Sequence, residues 1–260
     1  RYRRSIFGRG SGNARPLMVS DDRFPETRVS AVLGARSDDE AARRRAFERI
    51  ISAYWKPVFK YLRLRWKADH DQAADWTQAF FARILEKDFV QSWDPERGHF
   101  RTWLRVGIDG FVSNERKAAG RVKRGGGVAP LSLDFADAER ELGPLLPVET
   151  LHPERYFEQE WARALFEGGI ATLREDLESS GRAQRWRIFE AADLAPGDRP
   201  SYRDLATRFD EPETQITNHL SAARRQLRRI LSERLRELTG SDDEYAFEAE
   251  RLFGKTGGGR

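Results

Sequence analysis

Wherever apolar residues recur in this chain they recur every three or four positions, and no segment of any length alternates with the period of two that a half-buried strand would show. Between Ala42 and Trp66 the stripe is Phe47, Ile50, Ile51, Tyr54, Val58 and Leu62. After "KADHD" it is Trp76, Phe80 and Ile84, and after the loop "FVQSWDPERG" it is Leu104, Ile108 and Phe111. The expected fold class is therefore all-α. With 34% charged against 39% hydrophobic residues in 260, the chain suits two small helical domains with much exposed helix surface better than one large core.

Punctuation along the chain divides these helices. Pro57 is expected to kink or divide the first one, and Asp69 or Asp71 to cap the second. "GGGVAP" ends the third helix and opens a Pro- and Gly-containing stretch up to Pro153. That stretch is acidic, with Asp134, Asp137, Glu139, Glu141 and Glu149 against Arg140, and is expected to be a linker that prefers a basic channel. Pro153 is a good first-turn residue, after which Phe157, Trp161 and Leu165, then Leu173 and Leu177, then Trp186, Ile188 and Phe189 continue the helical pattern. The expected organisation is an N-terminal extension without fold over 1–22, a first helical domain over 23–124, the linker over 125–153, a second helical domain over 154–239, and a tail over 240–260. In the tail, Gly240 stops the preceding helix and Tyr245, Ala249, Leu252 and Phe253 form an apolar side expected to pack on the second domain.

Composition also excludes chemistries. With no cysteine there is no disulfide, thiolate zinc site or cysteine nucleophile. His70 and Asp71 are adjacent, as in some metal-dependent phosphohydrolases, but His99, His152 and His219 fall in a loop, at a helix start and on an outer helix face, so no metal, cofactor or enzymatic activity is expected. No apolar run approaches the roughly 18 residues of a membrane span, and the basic start "RYRRSIFGRGSGNARPL" lacks the apolar middle of a signal peptide, so the expected location is the cytoplasm. A net charge of +4 and a sequence pI near 9.5 point to a polyanionic partner, with nucleic acid leading.

The stretch "SYRDLATRFDEPETQITNHLSAARRQLRR" has helix-turn-helix spacing. Leu205 and Ala206 lie on a short helix that Phe209 closes, Asp210 to Pro212 make the turn, and Ile216 and Leu220 resume an apolar stripe. Gln215, Thr217, Asn218, His219 and Ser221 are left on the outer face, where a recognition helix meets base edges. Arg224, Arg225, Arg228 and Arg229 follow as phosphate contacts. Substituting Arg224 or Arg225 is expected to weaken DNA binding and flatten its salt dependence.

Taken in order, "AADWTQAFFARILE", "DPERGHFRTWLRVGIDGFVSNERKAAGRVKRGGG" and "SYRDLATRFDEPETQITNHLSAARRQLRRIL" resemble regions two and four of an extracytoplasmic-function sigma factor of the sigma-70 family. "FPETRVSAVLGAR" and "YWKPVFKYL" are similar to a branch with a long interdomain segment and a C-terminal tail. The resemblance implies that Asp75, Gln78, Phe81 and Leu85 dock on the clamp coiled coil of the largest subunit of core RNA polymerase. It implies that the third helix and its preceding loop contact the downstream promoter element, double-stranded and then locally melted. Arg101, Arg105, Asn114, Arg116, Lys117, Arg121, Lys123 and Arg124 would supply polar and positive groups there. Trp93 or Trp103 would supply a flat surface for an unstacked base, with Trp93 in the loop expected to be the exposed one. The helix-turn-helix would read the upstream element, and the acidic linker would thread toward the nucleic-acid channel.

Two departures stand out. Asp109 and Gly110 put an acid and a weak helix former where relatives carry other residues, and Asp210 stands at the turn position usually held by glycine, with Pro212 in place of the usual capping Ser or Thr. The regulator stays open between a sequestering anti-sigma protein, the tail folding back, and phosphorylation by a Ser/Thr kinase. The rival reading is a dimeric helix-turn-helix repressor, which would need an apolar ligand pocket and a two-fold interface; no dimerisation heptad is present.

Overall fold

A computed structural model describes residues 31–86, 90–118, 133–143 and 152–254. The expected N-terminal extension, the segment "FPETRVS", Arg121, Lys123, Arg124, most of the glycine-rich stretch and the chain end lie outside the described residues. Among the described residues the secondary structure is wholly helical, with no strand. In chain order the helices are α1 (Ala31–Gly34), α2 (Glu40–Arg65), α3 (His70–Leu85), α4 (Phe100–Ala118), α5 (Phe135–Leu142), α6 (Pro153–Ser179), α7 (Ala183–Phe189), α8 (Tyr202–Phe209), α9 (Glu213–Glu237) and α10 (Asp242–Phe253). A π-helical turn, Glu190–Leu194, follows α7. No helix among the described residues is long and apolar enough to cross a membrane.

These helices divide into two compact units. The described residues from Ala31 to Leu165, with Arg236–Tyr245, make the first. Phe166–Leu235, with the described residues from Ala246 onward, make the second. The first unit thus extends past the expected boundary at residue 124, and the division falls inside α6, α9 and α10.

In the first unit α2 is the central rod. Ile50, Tyr54, Val58, Phe59, Tyr61 and Leu62 are fully buried along it, so apolar burial is not confined to one narrow stripe. Pro57 neither ends nor divides α2, which continues from Glu40 to Arg65 with Pro57 itself buried. A proline costs its helix a hydrogen bond and crowds the carbonyl four residues earlier. Here the buried rings on either side of it, Tyr54 on Phe100 and Tyr61 on Phe157, hold both halves to one core. Asp69, not Asp71, caps α3 by accepting from the Gln72 amide at 2.8 Å.

Over its described residues 133–143 the acidic stretch is mainly helical and not extended. Asp134 caps α5, and α5 lies against α2 through charge. Lys56 contacts Asp137 at 3.0 Å and Glu141 at 2.9 Å, and Arg63 contacts Glu139 at 2.5 Å. Lys60, wholly shielded from solvent, reaches Glu141 at 2.5 Å and Glu160 of α6 at 2.6 Å. The partner these acids were expected to find in a basic channel is thus supplied by the first unit itself. Phe135 adds an apolar contact, 5.7 Å from Trp55 and 5.2 Å from Phe59.

In the second unit α6 crosses α9 at Gly169, where a Cβ would collide with Leu231. Leu173, Leu177, Ile188, Phe189, Leu205, Ile216, Leu220, Ala223 and Leu227 are fully buried and form its core. Pro153 opens α6, as a proline at the first helical position should.

The charge contacts of α5 set its pH dependence. The Lys56 ammonium holds the Asp137 carboxyl below its ordinary range, and Arg63 does the same for Glu139. Burial works against Glu141, yet Lys60 and Lys56 hold it low as well. Burial likewise opposes the charge on Lys56, but Glu141 and Asp137 raise its pKa above the ordinary value. The carboxylate contribution to docking is therefore complete above about pH 4.5 and is lost as pH falls through the lowered folded values. The Lys56 contribution is complete below about pH 10.4 and is lost only as pH rises through its raised value. An eight-residue helix is marginal in isolation, so α5 should unfold when it leaves α2. Amide NMR of α5 through an acid titration should show its helical shifts collapsing before those of α2; simultaneous loss would mean that the charges do not govern docking.

Candidate nucleic-acid interface

On α3, Asp75 is exposed and Gln78 and Leu85 are half-exposed, while Phe81 is fully buried and stacks edge-on with Phe80 at 5.9 Å. Asp75, Gln78, Ala82 and Leu85 follow one another at spacings of three, four and three, which is one stripe along the solvent side of the helix. The expected docking set therefore separates: Asp75, Gln78 and Leu85 share a surface, and Phe81 belongs to the core.

On α4 the expected basic face is also divided. Arg101 is 4% exposed; its guanidinium lies 4.3 Å from the Trp161 ring centroid and 3.8 Å from Glu158, so it is a core residue and not an outer cation. Arg105 is half-buried beside Tyr61. Asn114, Arg116 and Lys117 are exposed on the last turns. Asp109 does not face outward as a bare negative charge. It accepts from the Tyr61 hydroxyl at 3.1 Å and the Trp66 indole at 2.8 Å, tying α4 to α2. Burial and the Asp109 charge push the Tyr61 phenol up to about 12, so it stays a donor to that carboxylate throughout the physiological range.

The aromatic assignments reverse. Trp93 is only 2% exposed. Its indole donates to the Gly98 carbonyl at 3.0 Å, packs edge-on with Phe100 at 5.4 Å, and lies under the Arg36 guanidinium at 5.2 Å. Trp103 is the more exposed of the pair. A flat surface that sequence reasoning missed is Trp66, at the end of α2. It is half-exposed, with Arg116 4.9 Å from its centroid, Arg65 at 5.8 Å, and the Arg116 guanidinium donating to its carbonyl at 2.7 Å. Nothing in local spacing marked it, because Arg116 reaches it from 50 residues away.

In the second unit the helix-turn-helix geometry is present. Ser201 and Asp204 form a capping box at the start of α8. Asp210 adopts the left-handed conformation, φ 53° and ψ 49°, that its turn position requires. No Ser or Thr caps α9. Instead the Pro212 carbonyl accepts from the Gln215 and Ile216 amides at 2.8 and 3.1 Å. With Ile216, Leu220 and Ala223 buried, Gln215, Thr217 and Asn218 are exposed and Ser221 is half-exposed.

His219 and Arg224 are engaged within the fold. The His219 ring lies 3.1 Å from Glu211 and accepts from Arg185 at 3.5 Å, which fixes its plane beside the outer face. Arg224 donates twice to Asp193, at 2.8 and 3.0 Å, and Arg199 also reaches that carboxylate. The Asp193 side chain is wholly shielded and sits on the π-helical turn, so the half-buried Arg224 serves first as the counter-ion of a buried carboxylate rather than a phosphate contact. Arg225 and Arg228 remain on the exposed side. Arg182 and Arg185, which the sequence reading passed over, extend that positive surface. Burial, with the charges of Arg182 and Arg225, holds the Arg185 pKa below its ordinary value, as expected where like charges converge. The segment "GRAQRWR" carried the signal, but only packing brings it beside Arg225.

No protein-family model, curated protein or solved structure matches this chain.

Arg224 and Arg225 are adjacent in sequence and should behave in opposite ways. Arg224→Ala strips a buried carboxylate of its bidentate partner and should lower unfolding stability by about 3 kcal/mol in urea titrations. Arg225→Ala should leave stability within about 0.5 kcal/mol and, if this face binds DNA, reduce the salt slope of binding by about one. Equal stability losses would remove the distinction.

Proposed function

We propose that this chain is an RNA polymerase sigma factor of the extracytoplasmic-function type, acting in the cytoplasm. It binds core polymerase, grips promoter DNA through two helical regions and directs initiation, including strand opening. The observation that carries the proposal is the second unit's α8–turn–α9. A capped helix, a left-handed Asp210 and a second helix present Gln215, Thr217 and Asn218 outward, with Arg225 and Arg228 beyond them. The order of sequence segments that resemble regions two and four adds to it.

The parts have separable roles under this proposal. The stripe of Asp75, Gln78 and Leu85 offers core polymerase an acid, an amide and an apolar contact at spacings suited to a coiled-coil partner. Arg105, Arg116 and Lys117 provide positive charge for the downstream element, and Trp66 joins them as a candidate surface for an unstacked base. A single helix-turn-helix contacts too little DNA for tight specific binding, and attachment of both DNA-contacting parts to one polymerase supplies the missing avidity. A regulator, whether an anti-sigma protein or a Ser/Thr kinase, would act on this docking.

Core polymerase mixed with the chain and a promoter library should yield transcripts from selected start sites. Asp75→Ala should lower initiation about thirtyfold, as loss of a 2 kcal/mol contact does, while leaving binding of the chain to DNA alone unchanged. Unselected starts, or a stable dimer protecting a palindrome without polymerase, would overturn the proposal.

A further inference from the structure

Arg182 at the start of α7, Arg185 within it and Arg225 on α9 carry their charges toward one another in the second unit. The chain enters α7 through Gly181, whose φ of 73° lies in the left-handed region. The Arg182 amide donates to the Leu177 carbonyl at 2.7 Å and the Gly181 amide to that of Glu178 at 3.2 Å, so the C-terminus of α6 fixes the backbone that carries Arg182.

No carboxylate among the described residues pairs with any of these three arginines. The acids around them are engaged elsewhere: Glu178 holds Arg174 at 2.9 Å, and Asp176 accepts from the Gln226 amide at 3.2 Å. Both Glu211 oxygens are occupied, by Gln184 at 2.6 Å and by His219 at 3.1 Å. Other arginines of this unit do find counter-ions, Arg224 and Arg199 on Asp193 and Arg229 on Glu233. Like charges gathered without a counter-ion repel one another, and an anion supplied from outside removes that repulsion.

His219 sets where Arg185 points. With the Glu211 carboxylate on Nε2, that nitrogen carries the imidazole proton, and Nδ1 is left to accept from Arg185 Nε at 3.5 Å. The contact is long and uses Nε alone, so it aligns the guanidinium while leaving both Nη groups to another acceptor.

We infer that Arg182, Arg185 and Arg225 form a site for a backbone phosphate of duplex DNA beside α9, and that His219 is the positioning residue that holds Arg185 in it rather than a base contact. The choice of DNA as the source of the phosphate rests on the proposed function; the site rests on the three arginines and His219. A phosphate held there fixes the register of α9, whose exposed Gln215, Thr217 and Asn218 then meet base edges.

Two measurements on the full chain test this. In nitrogen-15 NMR of arginine side chains, inorganic phosphate should shift Arg182, Arg185 and Arg225 and leave the paired Arg224 and Arg229 in place. With a short random-sequence duplex, Arg185→Ala should lower the salt slope of binding by about one. His219→Leu, which removes the acceptor and no formal charge of the neutral ring, should lower it nearly as much. His219→Gln, which can still accept from Arg185, should restore it. Arg185→Ala combined with His219→Leu should bind no more weakly than Arg185→Ala alone. Unchanged hydrogen exchange in α8 and α9 confirms that each variant keeps the fold. Equal shifts at all arginines, or an unchanged slope in Arg185→Ala, overturn the site. Additive losses, or a His219→Leu variant that binds like the wild type, overturn the positioning role. A wild type that binds phosphate but no duplex overturns the assignment to DNA. One that binds duplex without directing initiation on core polymerase overturns the proposed function and leaves the site standing.

Discussion

Lys60 lies wholly out of water on the central helix of the first unit, and its ammonium is shared between Glu141 and Glu160. A buried ammonium with no counter-ion would be costly, and truncating one member of such a group typically costs about 3–5 kcal/mol. That requirement makes a segment which composition marks as linker into part of a folded unit. Glu141 brings α5 onto α2, and Glu160 fixes the start of α6 beside it. Lys56 and Arg63 then complete a charged seam along one side of α2. Apolar burial alone would have left the angle of α5 loosely specified. Directional ion pairs restrict it to one register.

The same device recurs elsewhere. In the second unit Asp193 is shielded on a π-helical turn and gathers Arg224 and Arg199, so the turn that precedes α8 is anchored to α9. At the start of α4, Glu244 is held by two backbone amides. Each case joins segments distant in sequence through a buried charge. Each also withdraws from the surface a residue or helix terminus that its sequence neighbourhood would leave there: Arg224 from the outer side of α9, the Phe100 amide from the α4 terminus, and the acids of α5 from solution.

Legibility in the sequence followed the range of the interaction. The all-helical class, the Asp69 cap, the Pro153 start and the left-handed Asp210 turn were readable, because each depends on residues within one or two helical turns. The outward placement of Asp75, Gln78, Gln215, Thr217 and Asn218 was readable too, since helical periodicity separates faces. Trp93 and Arg101 were misplaced for one reason. A tryptophan in a polar loop and an arginine on a basic helix look exposed until partners from Gly240 and Trp161 arrive, 147 and 60 positions away. Of the two outcomes expected at Pro57, division of the helix does not occur, because packing of the rings around it outweighs the local cost of a proline inside α2.

By itself, the sequence determined that the chain is helical, where α3 and α6 begin, and which faces of α3 and α9 meet solvent. These are consequences of a 3.6-residue period and of short-range hydrogen bonding. Tertiary structure alone decided which charges remain available to a partner. Arg224 and Arg225, adjacent in the chain and identical in chemistry, differ because only one lies within reach of a shielded carboxylate 31 residues away. Desolvation makes that pairing compulsory, and no local pattern encodes which arginine will meet it.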